Sequence, residues 1–427
     1  MTRVLSSRDY LTKFLGFVLL FWFISLGAIG GCNNNGGNNG GELGEPQFDL
    51  ELAIELMELS LVAYNQRFQC IKGGKDAITV PSPYKLEEVI FQAVTPILNS
   101  SCKDDLGVIP LAFIATKDDS IYVSFRGSAD LSDVITDIVA IQVPYNFVST
   151  TGKVSVGFQT AYTGNDTNPI ESTILSKLDE LTMTGNFRNL YITGHSLGAA
   201  LALLAFPDFS QNVSNIGNVV MYNFAGPAAG DSNWVSTYEG EYGPNRISFR
   251  IVNKNDLVPM LPPLGLDCTD PPFSYFHVDN KFEITFGTQL PPLPDFADDD
   301  CHLLTIGAQL AAYLLNNRED AGKNHYHCNY FSALCSMGSS PETCSQRAIG
   351  CGCCVIAEND CLDDKTERQC DLLGGINWVP ETACSGVPEC KVMPPADSTD
   401  MSSESISNAL MDVWQRLLAA TWSSPPL

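Results

Sequence analysis

Basic residues are scarce in this chain. It has 24 lysines and arginines against 49 aspartates and glutamates, which gives a net charge of −25 at pH 7. A field of that sign repels nucleic acid and anionic lipid headgroups, so nucleic acid is not expected as a partner and any lipid contact has to be apolar or through an anchor. Histidine is also scarce, with five in 427 residues. Few side chains can therefore serve as a catalytic base.

The first 32 residues predict an export signal. Three basic residues precede an apolar run at residues 14–29, and a small-residue cleavage site ends at Cys32. This ending resembles the lipobox of bacterial lipoproteins, which implies cleavage before Cys32 and acylation of its thiol. The alternatives are an ordinary secretory peptide or a retained anchor helix. We expect an exported protein, either anchored on the outer side of the cytoplasmic membrane or in the outer membrane, or secreted.

Cysteine, in contrast, is abundant. Of the 15 cysteines, ten lie between Cys328 and Cys390, a density that predicts a small disulfide-stapled module in an exported chain. A zinc site on Cys351, Cys353 and Cys354 is the alternative, but an oxidising compartment favours disulfides, and no metal or cofactor is expected. Apart from Cys32, the cysteines outside this cluster are expected to form two bridges, Cys70 with Cys102 and Cys268 with Cys301.

The middle of the chain alternates between helical and strand-like apolar patterns. An amphipathic helix is predicted at residues 48–64, followed by a hairpin at 108–115 and 121–125. The patterns predict further strands at 189–193, 219–224, 247–252 and 282–286, and helices at 169–181 and 199–206. This alternation indicates an α/β domain with a central, mostly parallel sheet, whose active groups lie at strand ends.

One pentapeptide organises this domain. Gly-His-Ser-Leu-Gly at residues 194–198 lies between a predicted strand and a predicted helix, and in that context the motif forms a nucleophile elbow that presents the serine hydroxyl. The pentapeptide alone is weak evidence, because such short motifs recur by chance. Ser196 is the candidate nucleophile.

Four more stretches accompany the elbow in a fixed order. They read Val-Ser-Phe-Arg-Gly-Ser at 123–128, Val-Gly-Phe at 156–158, Asn-Phe-Ala-Gly-Pro at 223–227 and Arg-Ile-Val-Asn-Lys-Asn-Asp-Leu-Val-Pro-Met-Leu-Pro-Pro at 250–263. With the elbow, they resemble the class 3 lipases, the fungal triacylglycerol lipase type of α/β-hydrolase. The resemblance implies the α/β-hydrolase fold and a Ser-His-Asp triad.

The resemblance assigns the other site residues. Asp256 stands where the family places its acid, and the chain order Ser, Asp, His is the one expected for this fold. The backbone N–H of Leu197 is one expected oxyanion donor, and by resemblance Ser128 supplies the second. The apolar stripe at residues 131–139 corresponds to the family's lid helix, which is expected to cover the site.

The catalytic histidine stays open at this stage. His325 fits a bacterial pattern and is the first candidate, His327 fits a fungal pattern and is the second, and His302 is the third. His195 is expected to point away from the serine hydroxyl. His277 resembles a noncatalytic position of the family.

These patterns predict a serine carboxylic-ester hydrolase that works through an acyl-enzyme, with triacylglycerols as the expected substrates. Phospholipase A1 and feruloyl-type esterase activities are alternatives, and a surface-binding protein with an inactive hydrolase domain is the alternative from another class. The expected organisation is a signal peptide at 1–32, an Asn/Gly-rich tether at 33–46, a hydrolase domain at 47–334, a Cys-rich module at 335–393, and a Ser-rich tail with an amphipathic helix at 394–427.

Overall fold

A twisted sheet with helices on both faces positions the candidate site. The computed structural model describes residues 47–94, 101–105, 107–128, 141–241, 245–262, 274–293, 313, 316–338, 351–357, 360–366 and 377–380. The predictions for the export signal and tether, the 131–139 lid, His302, the Cys268–Cys301 bridge and the tail lie outside these residues.

The strands alternate with the helices along the chain. The strands are β1 (Lys85–Ala93), β2 (Val108–Lys117), β3 (Ser120–Phe125), β4 (Gln142–Pro144), β5 (Lys153–Ser155), β6 (Gly164–Asn165), β7 (Asn168–Pro169), β8 (Asn189–His195), β9 (Asn218–Phe224), β10 (Arg246–Asn253), β11 (Lys281–Ile284), β12 (Cys351–Ala357), β13 (Asp360–Thr366) and β14 (Asn377–Pro380). The helices are α1 (Leu50–Gly73), α2 (Val156–Thr163), α3 (Glu171–Thr184), α4 (Leu197–Asn212), α5 (Ser232–Gly240), α6 (Arg318–His325) and α7 (His327–Met337).

The central sheet is mostly parallel. Its order is β1-β2-β3-β8-β9-β10-β11. The first two pairings are antiparallel and the four from β3 to β11 are parallel. In parallel strands the carboxyl ends share one edge, so the segments that follow β3, β8 and β10 come together there. The predicted α/β-hydrolase architecture is confirmed.

Each face of the sheet has its own core. On one face α4 packs with α2 and α3, and α4 contributes a run of buried alanines and leucines such as Leu201 and Leu204. On the other face α1 and α7 pack together, with Leu56, Leu59 and Phe331 among the buried side chains. The sheet is therefore covered on both sides, which is why most residues of its inner strands are buried. Among the described helices, none combines the length and the apolar character needed to cross a bilayer.

Most predicted elements are confirmed, with longer bounds. The helix expected at 48–64 is α1, which Asp49 caps by accepting from the Leu52 N–H and which continues to Gly73. The expected hairpin is β2 and β3. The strand β1, the short strands β4 to β7 and the helices α2, α5, α6 and α7 were not predicted, because β1 mixes charged with apolar residues and the other elements are short.

Cysteines staple two regions. Cys70 and Cys102 form a disulfide with their Cα atoms 4.6 Å apart, as the sequence predicted. Cys328 and Cys335 on α7 are also disulfide-bonded. They lie seven residues apart on one helix, about 10 Å, so they do not pair with each other. The backbone of β12, β13 and β14 forms a small antiparallel sheet that contacts α7.

Candidate active site

The serine elbow is the turn between β8 and α4. Ser196 has φ of 61° and ψ of −124°, a left-handed conformation that is strained for any residue with a side chain. Gly198 makes the turn possible, since a Cβ there would overlap the backbone carbonyl of Phe125 on the neighbouring strand β3. The strain is held in place because β8 and α4 are both buried. A strained serine at this position is typical of a nucleophile elbow.

The carboxylate of Asp256 comes from the loop after β10, two strands away from β8. The backbone turns tightly there, with the Asp256 N–H donating to the Asn253 carbonyl at 3.0 Å. Its side chain is 1% exposed, and Oδ1 accepts from the Val258 N–H at 3.0 Å. These contacts fix the direction in which the carboxylate points.

An imidazole joins these two groups. His325, the last residue of α6, places Nε2 2.8 Å from Ser196 Oγ. Its Nδ1 lies 2.9 Å from Oδ2 and 3.1 Å from Oδ1 of Asp256. A carboxylate can only accept, so Nδ1 carries the proton and Nε2 accepts from the serine hydroxyl. The structure thus brings together Ser196, Asp256 and the first histidine candidate.

The other described histidines do not reach the serine. His327 stacks its ring on Tyr64, with centroids 4.2 Å apart and an interplanar angle of 12°. His277 Nε2 donates to the Pro259 carbonyl at 2.6 Å. His195 makes no hydrogen bond to the serine hydroxyl: its Nδ1 pairs with the Tyr64 hydroxyl and its Nε2 with the His325 carbonyl.

A tyrosine that sequence reasoning did not assign supports the carboxylate. Tyr330 on α7 donates its hydroxyl to Asp256 Oδ2 at 2.8 Å and accepts from the Asn253 N–H at 2.8 Å. Burial, reinforced by the adjacent Asp256 carboxylate, raises the pKa of Tyr330 well above its usual value, so its oxygen stays protonated and remains a donor. Tyr330 follows His325 by five residues and therefore lies one helix turn inside α7. Its place in the Asn-Tyr pattern behind His325 was the only signal available.

Two buried asparagines join the loop of the acid to the histidine segment. Asn253 Nδ2 donates to the Asn324 carbonyl at 3.0 Å, and Asn324 Nδ2 donates to the Asn255 carbonyl at 2.9 Å and to the Thr288 carbonyl at 2.7 Å. Both asparagines are 0% exposed. They flank Asp256 and His325 in sequence, so these bonds tie the two triad segments together. Sequence alone offers no reason to pair residues 71 positions apart.

Burial dominates the electrostatics around the triad. It lowers the pKa of His195 well below its usual value, assisted by the neighbouring His325 and His327 rings. It also lowers the pKa of His277 to about 3, with Arg250 contributing. Both imidazoles are therefore neutral near pH 7. Across the described part of the chain, no three His, Cys, Asp or Glu side chains converge as metal ligands would.

The two segments that carry the predicted oxyanion donors adjoin the serine elbow. Leu197 begins α4 directly after Ser196. Ser128 follows β3, which pairs with β8 so that Phe125 lies opposite Gly194. Backbone N–H groups at the start of a helix carry partial positive charge and suit a developing oxyanion. The arrangement can activate a hydroxyl and stabilise the negative charge that its attack creates.

Comparison with known proteins agrees with this chemistry. Residues 122–266 match the model of the lipase (class 3) family. A lipase from Rhizomucor miehei is 33% identical over 168 residues, which cover 39% of this chain and 42% of the relative. The secreted mono- and diacylglycerol lipase MDL3 from Malassezia globosa is 31% identical over 128 residues, covering 30% of this chain and 37% of the relative.

The matches are partial in length. The chain spans about two fifths of the curated relatives it matches. Among solved structures, a lipase from Rhizopus microsporus var. chinensis superposes with a TM-score of 0.41 at 25% identity, over 55% of this chain and 75% of that one. The matched segment contains Ser128, Ser196 and Asp256, while His325 lies beyond it. Residues 122–266 of this chain, which hold the serine elbow and the acid, are therefore similar to the class 3 lipases.

Proposed function

We propose that this chain is a serine carboxylic-ester hydrolase that acts on acylglycerols through a triad of Ser196, His325 and Asp256. The observation that carries the proposal is the continuous hydrogen-bonded path from the serine hydroxyl through the imidazole to the carboxylate. An unassisted serine hydroxyl is a poor nucleophile at neutral pH, and this path supplies the base and the group that orients it. The class 3 lipase match supports lipid esters as the substrate class.

The mechanism follows from the geometry. Ser196 Oγ attacks the ester carbonyl as His325 Nε2 takes its proton, and the Asp256 carboxylate stabilises the resulting imidazolium through Nδ1–H. Negative charge develops on the carbonyl oxygen, where the N–H groups of Leu197 and Ser128 are the proposed donors. His325 then gives its proton to the leaving alcohol. Water, deprotonated by the same imidazole, releases the fatty acid from the acyl-enzyme.

The nucleophile and the base are both buried. Ser196 is 1% exposed and His325 is 6% exposed. We propose that a covering segment moves before an ester carbonyl reaches Oγ, as in a hydrolase whose substrates lie in an aggregate or surface rather than free in water. The proposed lid at residues 131–139 is the candidate for that movement.

Hydrolysis of short and long p-nitrophenyl esters and of emulsified triacylglycerol tests the proposal. The wild-type chain is expected to cleave them, and Ser196→Ala is expected to lose the activity almost completely. Preference for phosphatidylcholine at the sn-1 position, or for feruloyl esters, would move the assignment to phospholipase A1 or feruloyl esterase. No hydrolysis of any ester by the wild-type chain would favour the surface-binding alternative.

A matched pair of variants tests the base. His325→Ala is expected to reduce kcat by about a thousand-fold or more, because the serine loses its proton acceptor. His327→Ala removes an imidazole two residues away that stacks on Tyr64 and is expected to retain most of the activity. A fully active His325→Ala variant would contradict the assignment, and His302→Ala then becomes the next variant to measure.

We further propose that the protein is exported and anchored through an acylated Cys32. The Cys70–Cys102 disulfide supports an oxidising compartment, and the lipobox-like end of the signal supports the anchor. Cys32→Ser is expected to release the protein from the membrane fraction into the soluble fraction. Unchanged partitioning would remove the anchor and leave simple secretion.

For the domain organisation we propose a hydrolase domain at 47–334 with the Cys-rich module at 335–393 docked on it, between the N-terminal signal and tether and the C-terminal tail. The disulfides of Cys328 and Cys335 support this arrangement, because each must pair with a cysteine outside α7. The helix α7 itself runs across the boundary at residue 334. Mass spectrometry of unreduced peptides is expected to link α7 to the cysteines of the module, and links elsewhere would refute the docking.

A further inference from the structure

A second hydrogen-bonded chain runs behind the triad through two side chains that the proposed chemistry does not use. Tyr64 on α1 and His195 in the elbow are 6% and 1% exposed. The Tyr64 hydroxyl lies 3.0 Å from His195 Nδ1, and His195 Nε2 lies 2.9 Å from the backbone carbonyl of His325. The tyrosine and the two histidines are separated by about 130 residues in sequence, so only the tertiary fold joins them.

The donor and acceptor of each of these hydrogen bonds follow from the backbone carbonyl at the end of the path. The His325 carbonyl can only accept, so His195 Nε2 carries the proton and donates it. His195 is surrounded by the rings of Tyr64, His325, His327 and Tyr330, with centroids 4.8 to 6.0 Å away, and burial keeps it neutral. In the neutral ring Nδ1 is then an acceptor, and the Tyr64 hydroxyl donates to it.

Tyr64 also reaches the segment of the oxyanion donors. Its hydroxyl packs directly against the backbone of Gly127, the residue before Ser128. A Cβ at residue 127 would overlap that hydroxyl and the His195 carbonyl, so the close approach requires glycine. The hydrogen bonds from Tyr64 through His195 to the backbone of His325 therefore begin at a side chain that packs on Gly127.

We infer that Tyr64 and His195 are positioning residues that lock the oxyanion segment, the serine elbow and the histidine segment into one register. The triad bonds hold the His325 ring by its two nitrogens, but they do not fix the backbone that carries it. The His195 bond to the His325 carbonyl holds that backbone directly, beside the asparagine bonds at Asn324. This role rests on the proposed ester hydrolase function and adds two residues to its machinery.

Kinetics of matched variants test the inference. His195→Phe keeps a buried ring and removes both nitrogens, and a shift of the base by about 1 Å is expected to lower kcat by about 100-fold with little change in KM. His195→Gln places an amide N–H near the position of Nε2 and is expected to restore most of that loss. Tyr64→Phe is expected to be intermediate, and the double variant Tyr64→Phe/His195→Phe no worse than His195→Phe alone, because both act through one path.

The outcomes separate this inference from the proposed function. If Ser196→Ala is inactive while His195→Phe and Tyr64→Phe keep the wild-type kcat, the positioning role is refuted and the proposed hydrolase function stands. An equal loss in His195→Phe and His195→Gln would also refute it, since bulk at the site rather than the donor would then matter.

A spectroscopic measurement keeps the inference testable even without activity. Imidazole ¹⁵N spectra of the full chain, assigned with His195→Gln, are expected to show His195 neutral, with the proton on Nε2, from mildly acidic to mildly alkaline pH. A proton on Nδ1, or titration of His195 near pH 6.5 as in free histidine, would overturn the chain of hydrogen bonds.

Discussion

Tyr330→Phe tests how the acid of the triad is held. The Tyr330 hydroxyl is the only atom removed, and it makes two bonds at 2.8 Å, one to Asp256 Oδ2 and one from the Asn253 N–H. The side chain is 0% exposed, so water cannot replace either bond. The ring of phenylalanine fills the same space beside Phe286, whose centroid lies 5.2 Å away.

The magnitude follows from these two bonds. A hydrogen bond to a charged group contributes about 1.5–3 kcal/mol, and a buried N–H left without an acceptor costs about 1–3 kcal/mol. Because both effects depend on one oxygen, we expect a loss of about 3 kcal/mol in the free energy of unfolding rather than the full sum. The loss is well above the scatter of denaturant measurements.

The effect on catalysis is expected to be smaller. Asp256 keeps the Val258 N–H at 3.0 Å and the His325 imidazole at 2.9 Å, so the triad stays assembled. If the poorer orientation of the carboxylate removes about 1.4 kcal/mol of transition-state stabilisation, kcat falls about ten-fold. A carboxylate with one fewer donor also holds the imidazolium more strongly. The acidic limb of the pH–rate profile therefore moves to higher pH.

Urea unfolding and p-nitrophenyl butyrate hydrolysis measured across pH provide the assay. Tyr238→Phe on α5 is the control, because its buried hydroxyl pairs with Ser248 Oγ at 2.7 Å, whereas the Tyr330 hydroxyl pairs with the triad carboxylate. The control is expected to lose about 1 kcal/mol of stability with an unchanged pH–rate profile. A Tyr330→Phe enzyme with wild-type kcat and an unshifted acidic limb would show that Tyr330 does not orient Asp256.

Three further variants probe other features of the fold. Asp208 is buried on α4, which raises the pKa of its carboxyl, so the folded state keeps a proton that the unfolded state releases and stability falls as pH rises from about 4. Asp208→Asn is expected to flatten that decline in urea titrations at several pH values, and an unchanged dependence of stability on pH would refute this account. Removing the disulfide with Cys70→Ala/Cys102→Ala opens a loop of 32 residues and is expected to lower the free energy of unfolding by about 3–4 kcal/mol by the loop-entropy model. Urea unfolding measures this change, and a loss below about 1 kcal/mol would contradict the expectation. Gly198→Ala forces a Cβ onto the Phe125 carbonyl and is expected to lower kcat and to reduce stability by about 1–3 kcal/mol. Gly240 has open space around it, so the control Gly240→Ala is expected to change neither quantity. Equal effects in these two variants would refute the role of close packing at the elbow.

Local patterns were sufficient to predict much of the architecture. The strand, Gly-His-Ser-Leu-Gly and helix succession predicted the elbow, because a strained serine needs a glycine on the crowded side of the turn, and Gly198 occupies that side. Apolar runs predicted the inner strands, since a parallel sheet covered on both faces has little polar surface. These features depend on residues close together in the chain. Sequence reasoning missed β1, whose charged residues hide its strand pattern.

The sequence could not choose among the histidines. His325 and His327 are two residues apart, and each fits a known pattern. The chain leaves the helical conformation at Tyr326, with φ of −58° and ψ of 130°. The last side chain of α6, His325, and the first side chain of α7, His327, therefore point in different directions. His325 faces Ser196 and Asp256, while His327 stacks on Tyr64.

What the sequence by itself determined is the set of parts: a reactive serine in a turn, an acid after a later strand, and a mostly parallel sheet to carry them. What only the tertiary structure decided is which distant side chains complete them. Tyr64, His195, Asn253, Asn324 and Tyr330 join segments by hydrogen bonds that span 71 to 131 residues. The physical reason is that a hydrogen bond depends on distance and direction in space, and periodicity along the chain carries no information about either across such separations.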